Sequence, residues 1–386
     1  MKNLNLIIAL ASFLILTITS CQDDDQMEPE DTFLGTDVPR FSVENDYNVG
    51  AFYKFSNWSL SYETSPVVGT YNGASTEQYP FHIKQANQAG IDFFLFDLRS
   101  ARTGNAHTND LAIVDRYDTA LDAFPVDSIV SYAFNYNFGA LGINNNNPVD
   151  KISDPENGIL DPKEVFFQDD FLAIAGIAAA NPNYYRLNDK PVVYINAAHN
   201  LAAINSPEVF DRMRQVVSDQ FDGMELYIVG VQPQWQPPLR YDFRFVGAVD
   251  AVTHQTYMTL NKNNSYERIL YFEKMIYGAW SYSQEALGRP EFDLEYIPTI
   301  SPSINFKLTN AGSNNHVFEK DNNFFREICN SARGATGASK LVLVDSFNNW
   351  NLGSQIEESV ESNVDDTPAY AATFLDILKQ EFKVSN

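Results

Sequence analysis

From about Tyr47 to the C-terminus, apolar β-like runs alternate with helical stretches, and no other feature restricts the fold as much. Eight runs can be counted. The first four are VGAFYKF from Val49, IDFFLFDL from Ile91, SIVSYAFNYN from Ser128 and PVVYINA from Pro191. The second half adds ELYIVGVQ from Glu225, DAVTHQTYM from Asp250, EYIPTIS from Glu295 and KLVLVDSF from Lys340. Near-continuous apolar strands separated by helices are buried on both faces, as in a parallel sheet. Eight such units over roughly 340 residues meet the requirement of a (β/α)8 TIM barrel, an α/β fold in a single domain. The alternative is a doubly wound open sheet, but the chain lacks the glycine-rich phosphate loop after the first strand that would recommend it.

The stretches between the runs carry helix-end signals. Ser75-Thr76-Glu77-Gln78 reads as a capping box; Tyr79, Ile83, Ala86 and Ala89 share one face, and Gly90 stops the helix. Ser206-Pro207 opens another helix with proline at its first position, and Thr367-Pro368 repeats the device before a last helix over Ala369 to Phe382. A further helix is expected around Tyr266 to Ala286. Two connections look irregular: Phe138 to Pro162, with NNNNP and DPENG, which is too polar for regular structure, and QPQWQPPLRYDF after the fifth strand. Both leave C-terminal strand ends, where a barrel places its chemistry.

The N-terminus reads as a targeting segment. Lys2 precedes an apolar run from Leu6 to Ile18, of signal-peptide length and short for a membrane span. Ile18-Thr19-Ser20-Cys21 resembles a bacterial lipobox, which implies lipidation of Cys21. The following QDDDQMEPED cannot bury a core, and an acidic patch at that place resembles a lipoprotein surface-export signal. The expected organisation is therefore a signal peptide over 1–20, an acidic flexible tether over 21–45 and a barrel over 46–386. The expected location is the outer membrane, through the N-terminal lipid. With Cys21 lipidated, Cys329 has no disulfide partner and is expected to pack as a small apolar residue on a helix.

A formal net charge of −24 makes nucleic acid a poor partner and leaves a neutral glycan compatible. No cofactor is called for. The chain has no G-x-S-x-G elbow, and the five histidines, His82, His107, His199, His254 and His316, fall in no metal-ligand spacing. Glycan chemistry fits better. Strand ends and the loops after them offer Tyr53, Trp58, Asp97, Arg99, Tyr136, Asn196, His199, Gln232, Trp235, His254, Tyr257, Asn349 and Trp350. Sugars need flat apolar faces and planar polar groups, and this set supplies both kinds.

Several segments resemble the family 71/99-like glycoside hydrolases, a group that includes endo-acting α-mannan hydrolases of family 99 and WbsX-type relatives. They are VGAFYKFSNW, Pro66 to Asn72, FHIKQANQAGIDFFLFD, NPNYYRLNDKPVVYI, IPTISPSIN and DSFNNWNLGSQIE. The resemblance runs in order from Val49 to Glu357. Family members carry a pattern close to S-F-N-E-W-H-E-G-T-Q-I-E at the eighth strand. In this chain its two catalytic glutamates fall at Asn349 and Leu352, and its histidine at Asn351. Ser346, Phe347, Asn348, Trp350, Gly353, Gln355, Ile356 and Glu357 match.

The resemblance implies a retaining mechanism run by those two glutamates, which this chain lacks. Asn can hydrogen-bond a hydroxyl but does not titrate, and Leu does neither; each lost acid–base group is worth roughly 10²–10⁴-fold in rate. The reading is a barrel that holds a polysaccharide or oligosaccharide and no longer cuts it, with no catalytic residues. Its expected binding residues are Tyr53, Trp58, Trp235, Tyr257, Asn349, Trp350 and Gln355. The competing reading is an active endo-acting hydrolase on a mannan-like substrate, with relocated carboxylates among Asp97, Asp345 and Glu357. In the bland reading, Asp97 pairs with Arg99 or Arg102 and Glu357 anchors the loop.

Overall fold

The computed structural model describes residues 38–54, 64–154, 159–233, 242–255, 272–360 and 369–384. Seven unbroken parallel strands are β1 (Asn48–Tyr53), β2 (Phe93–Arg99), β3 (Ser131–Asn137), β4 (Lys190–Ile195), β5 (Tyr227–Gln232), β6 (Ala251–His254) and β8 (Leu341–Val344). The remaining strand, β7, comes in two pieces, Glu295–Tyr296 and Thr299–Ile300. Its first piece pairs with β6 and its second with β8.

Proline explains the break, because Pro298 has no N–H to give to a ladder. Its neighbours carry the strand across. Ile297 N–H donates to Val252 at 2.9 Å, and the Pro298 carbonyl accepts from Leu343 N–H at 3.0 Å. Since β8 also pairs with β1, the ring closes and all eight expected strands are present.

Each strand is followed by a helix. These are α1 (Tyr79–Ala89), α2 (Asn105–Leu121), α3 (Pro162–Ala180), α4 (Ser206–Gln220), the short α5 (Asp242–Phe245), α6 (Phe272–Leu287), α7 (Asn322–Ala335) and α8 (Thr373–Phe382). No helix among the described residues is long and apolar enough to cross a membrane. Cys329 is buried on α7, as expected of a small apolar residue.

Strand alternation decides which side chains reach the site. Tyr53, Phe94, Phe96, Tyr132 and Tyr136 point outward, toward rings on the helices: Tyr79 and His82 of α1, Tyr117 of α2, Phe167 and Phe171 of α3. Burying each such ring contributes on the order of 1.5–3 kcal/mol. Residues of the other parity fill the axis. Phe93 stacks on Tyr185 at 3.9 Å, and a Cβ on Gly50 would come within 2.3 Å of the Phe93 ring, so only glycine fits there. Higher up, the same parity presents Lys54, Asp97, Asn135, Asn137 and Asn196.

Local signals need correction in four places, one of them the last helix, which begins at Thr373 and not at Ala369. Ser75 does not cap α1; its hydroxyl accepts from Asn72 N–H in a turn, and Gln78 precedes the helix without a side-chain cap. Gly90 does end α1, at φ 73. At α4 the cap is Asn205, whose side chain accepts from Glu208 N–H, so Ser206 is already helical. The Phe138–Pro162 connection holds regular pieces after all. It contains a 3-10 turn at Gly139–Leu141 and a two-stranded ribbon of Ile152–Asp154 with Ile159–Leu160. Asp150 anchors this connection by accepting from Ile204 and Asn205 N–H, at 2.7 Å each.

Candidate functional site

A cavity of about 490 Å³ opens at the C-terminal ends of the strands. Lys54 follows β1, Asp97 and Arg99 end β2, Asn137 ends β3, Asn196 follows β4, and Asn349 and Asn351 lie in the loop after β8. Lys54 Nζ lies 3.3 Å from Asp97 Oδ2, and Asn135 Nδ2 donates to Asp97 Oδ1 at 2.7 Å. Burial disfavours the Lys54 ammonium, but the charges of Asp97 and Asp345 outweigh it and raise its pKa above the usual lysine value. Lys54 therefore stays charged between two carboxylates. Arg99 is held rigid by Asp110, with contacts of 2.8 and 2.6 Å.

Several buried polar atoms go without a partner among the described residues, Gln355 Oε1 and Tyr194 Oη among them. Asn135 Oδ1 and Asn351 Oδ1 are buried and meet no donor among the described residues. A buried acceptor without a partner costs roughly 1–3 kcal/mol.

Behind the β1–β8 wall lies a second polar cluster, closed to solvent. Glu357 is fully buried and accepts from His82 Nε2 at 2.9 Å, Tyr71 Oη at 2.6 Å and Trp350 Nε1 at 2.7 Å. Tyr53 Oη lies 2.6 Å from His82 Nδ1. Because Glu357 can only accept, His82 places its proton on Nε2 and takes the Tyr53 hydroxyl at Nδ1. Burial first, then the Glu357 charge, push the Tyr71 phenol well above its ordinary range and keep it a donor.

The two clusters meet at Asn348. Its Nδ2 donates to Tyr71 Oη at 3.1 Å and to the Lys54 carbonyl at 3.1 Å, while its Oδ1 accepts from Lys54 N–H at 2.7 Å. The closed cluster thus fixes the backbone from which Lys54 reaches the mouth. Ser346 Oγ accepts from Asn349 N–H at 2.7 Å, and the Asp345–Ser346 peptide bond is cis. Leu352 packs against the core, and its carbonyl accepts from Asn305 N–H at 2.7 Å.

No protein-family model and no curated protein matches the chain. A solved structure described as a glycoside hydrolase-like protein is 66% identical, covering 92% of this chain and 99% of its own, with a TM-score of 0.89. The chain belongs to this glycoside hydrolase-like family. The GH99 endo-alpha-mannosidase from Bacteroides thetaiotaomicron shares the fold at 14% identity, with a TM-score of 0.57 over 87% of this chain and 97% of that one. Its complex with BIS-TRIS-Propane gives 13% and 0.59 over the same shares.

Within this glycoside hydrolase-like barrel the expected site residues separate. Asp97 and Asn349 line the mouth. Asp345 is half-buried beside Lys54, and its N–H donates to the Ile300 carbonyl at 2.8 Å. Tyr53, Trp350 and Gln355 are corrected as sugar-facing groups: each is 1% exposed or less, so none presents a face to a ligand. Glu357 is corrected as a fallback acid, since its oxygens are already taken by three donors. Asp97 pairs with Lys54, while Arg99 takes Asp110 and Arg102 lies over the Phe166 ring. His254 and Tyr136 are likewise buried. Trp58, Trp235, Tyr257 and Cys21 lie outside the described residues.

Sequence reasoning missed Lys54, Asp110, Asn137 and Asn351 as mouth residues. Parity could have found two of them, Lys54 and Asn137. On β2, Asp97 must face the axis if Phe94 and Phe96 face the helices, and register with β1 and β3 then selects Lys54, Asn135 and Asn137.

Proposed function

We propose that this glycoside hydrolase-like protein binds a polysaccharide or oligosaccharide at the C-terminal mouth of its barrel and leaves it uncut. We further propose that it does so as a Cys21-lipidated outer-membrane protein within a polysaccharide-utilisation system. The observation that carries the binding reading is the open cavity of about 490 Å³ at the C-terminal mouth, lined by Lys54, Asp97, Arg99, Asn137, Asn196, Asn349 and Asn351. Planar amides and charged groups around an open cavity suit the paired hydroxyls of a sugar. Asp97 and Asn349 add further acceptors around the same cavity.

The uncut outcome follows from what the mouth lacks. Of the two positions that the eighth-strand resemblance assigns to catalytic glutamates, Asn349 does not titrate and Leu352 is packed away. Calorimetry against mannans and other glycans, paired with an assay of reducing-end release, tests the proposal. Binding without release is expected; no binding to any glycan would end it.

One observation favours a second reading, hydrolysis by Asp97 and Asp345: both carboxylates act on Lys54, so they share one neighbourhood. Release of reducing ends that disappears in Asp97→Asn or Asp345→Asn would establish it.

A further inference from the structure

The mouth holds two charge pairs, and they differ in how far their hydrogen-bonding capacity is spent. Arg99 is a strut: its Nε and Nη2 donate to Asp110 at 2.8 and 2.6 Å, and Nη2 also reaches the Ala106 carbonyl at 3.2 Å. The other pair is looser. Register sets Phe52 of β1 beside Leu95 of β2, so Lys54 comes beside Asp97 two residues farther on. Lys54 Nζ lies 3.3 Å from Asp97 Oδ2 and 4.9 Å from the centre of the buried Phe52 ring.

An ammonium carries three N–H donors, and a carboxylate offers about four lone-pair positions. Among the described residues, Asp97 Oδ2 is the one hydrogen-bond acceptor of Lys54 Nζ, and Asp97 takes two donors, Lys54 Nζ and Asn135 Nδ2. Hydrogen-bonding capacity is therefore left on both partners, whose side chains are 27% and 46% exposed. Neither end swings freely. Asn348 grips the Lys54 backbone at both its N–H and its carbonyl, and Asn135 holds Asp97 Oδ1 at 2.7 Å. A donor and an acceptor thus stand fixed side by side at the edge of the cavity. The spot does not suit an anion. Asp345 acts on the same ammonium, so two carboxylates face one positive charge, and Arg99 is already matched by Asp110.

We propose that Lys54 and Asp97 form a clamp for two adjacent hydroxyls of a neutral sugar, Lys54 Nζ donating to one oxygen and Asp97 accepting the proton of the next. The inference rests on the binding reading above and names its ligand class. Oxygens on neighbouring ring carbons, staggered by about 60°, stand about as far apart as Lys54 Nζ and Asp97 Oδ2, so one diol meets both groups at once. A sugar carboxylate in the same place would only accept, and would face Asp97 as a like charge. The sugar residue in the mouth must therefore leave two neighbouring hydroxyls unsubstituted, which restricts the linkages the protein accepts.

Calorimetry with neutral oligosaccharides of mannose, glucose and galactose selects the tightest ligand, and its monodeoxy forms are then measured, one for each hydroxyl. Two deoxy positions on adjacent carbons of one residue are expected to cost about 10-fold each, the size of a hydrogen bond to a charged group. In Lys54→Met the penalty at one of the two should fall below about 2-fold, and in Asp97→Ala the penalty at the other. Both side chains stand at the open mouth, and either variant alone tests the clamp should the other fail to fold. Penalties that survive the variants, or that fall on hydroxyls not adjacent, overturn the inference while leaving glycan binding at the mouth intact. Tighter binding of oligouronates than of neutral chains overturns it as well. Failure to bind any glycan, acidic or neutral, ends both readings.

Discussion

Glu357 and Asp97 are carboxylates on opposite sides of the same wall of strands, and their surroundings differ in every respect. Glu357 is closed to solvent and saturated by three donors; Asp97 has a side chain 46% exposed beside one lysine and one amide. The closed cluster has donors matched to acceptors, as a structural support requires. The open one lines a cavity with Asp97, Asn349 and Asn351. Polarity alone therefore does not mark a site; polarity that faces an open cavity does.

The sharpest way to break this contrast is to remove Glu357. Glu357→Leu strands the donors of His82, Tyr71 and Trp350, and a loss of about 3–5 kcal/mol of unfolding free energy is expected in urea denaturation. A loss near zero would mean that the cluster is not structural. Glu357→Gln, which retains one acceptor, should fall between the two.

A second buried group extends the comparison to pH. His254 is fully buried, stacks on Tyr296 and accepts from Thr299 N–H at Nε2, which leaves its proton on Nδ1 facing the Gln255 carbonyl. Burial lowers its pKa from 6.5 to about 3. The unfolded chain therefore takes up a proton below pH 6.5 that the folded chain refuses until about pH 3. Stability from this group is complete above pH 6.5 and is lost progressively as pH falls through that window. Between pH 7 and pH 5 the loss is about 2 kcal/mol, read by urea denaturation at the two pH values. His254→Gln should flatten that part of the slope.

At the mouth the expected signs reverse. Asn351→Ala removes an unsatisfied acceptor, so stability should hold or rise slightly while glycan affinity falls about 5- to 10-fold. Loss of stability together with affinity would make Asn351 structural instead. The smallest effect belongs to Asp97→Asn. Its exposed ion pair with Lys54 is worth at most about 1 kcal/mol, so the melting temperature should barely move.

How far the sequence could be read follows the same division. All eight strands were legible because apolar runs of strand length report burial on both faces, whichever contacts they make. The break in β7 was legible only in part: Pro298 announces it, but the bridging bonds of Ile297 depend on neighbours far along the chain. The loop after β8 was found by its position and composition. Which of its residues face the mouth was not legible, because Glu357 turns inward to partners about 270–290 positions away in sequence, His82 and Tyr71, and Trp350 turns inward to Glu357. Aromatic content misled in the same way. Tyr53 sits at a strand end, as a sugar platform would, yet its parity sends it to α1.

The central claim, recognition without cleavage, is met most directly by product length. A glycan shown by calorimetry to bind should be incubated with stoichiometric protein and sized by mass spectrometry. The expected result is recovery of the glycan at its original length. Shorter chains with new reducing ends, absent when Asp97→Asn is used, would contradict the account.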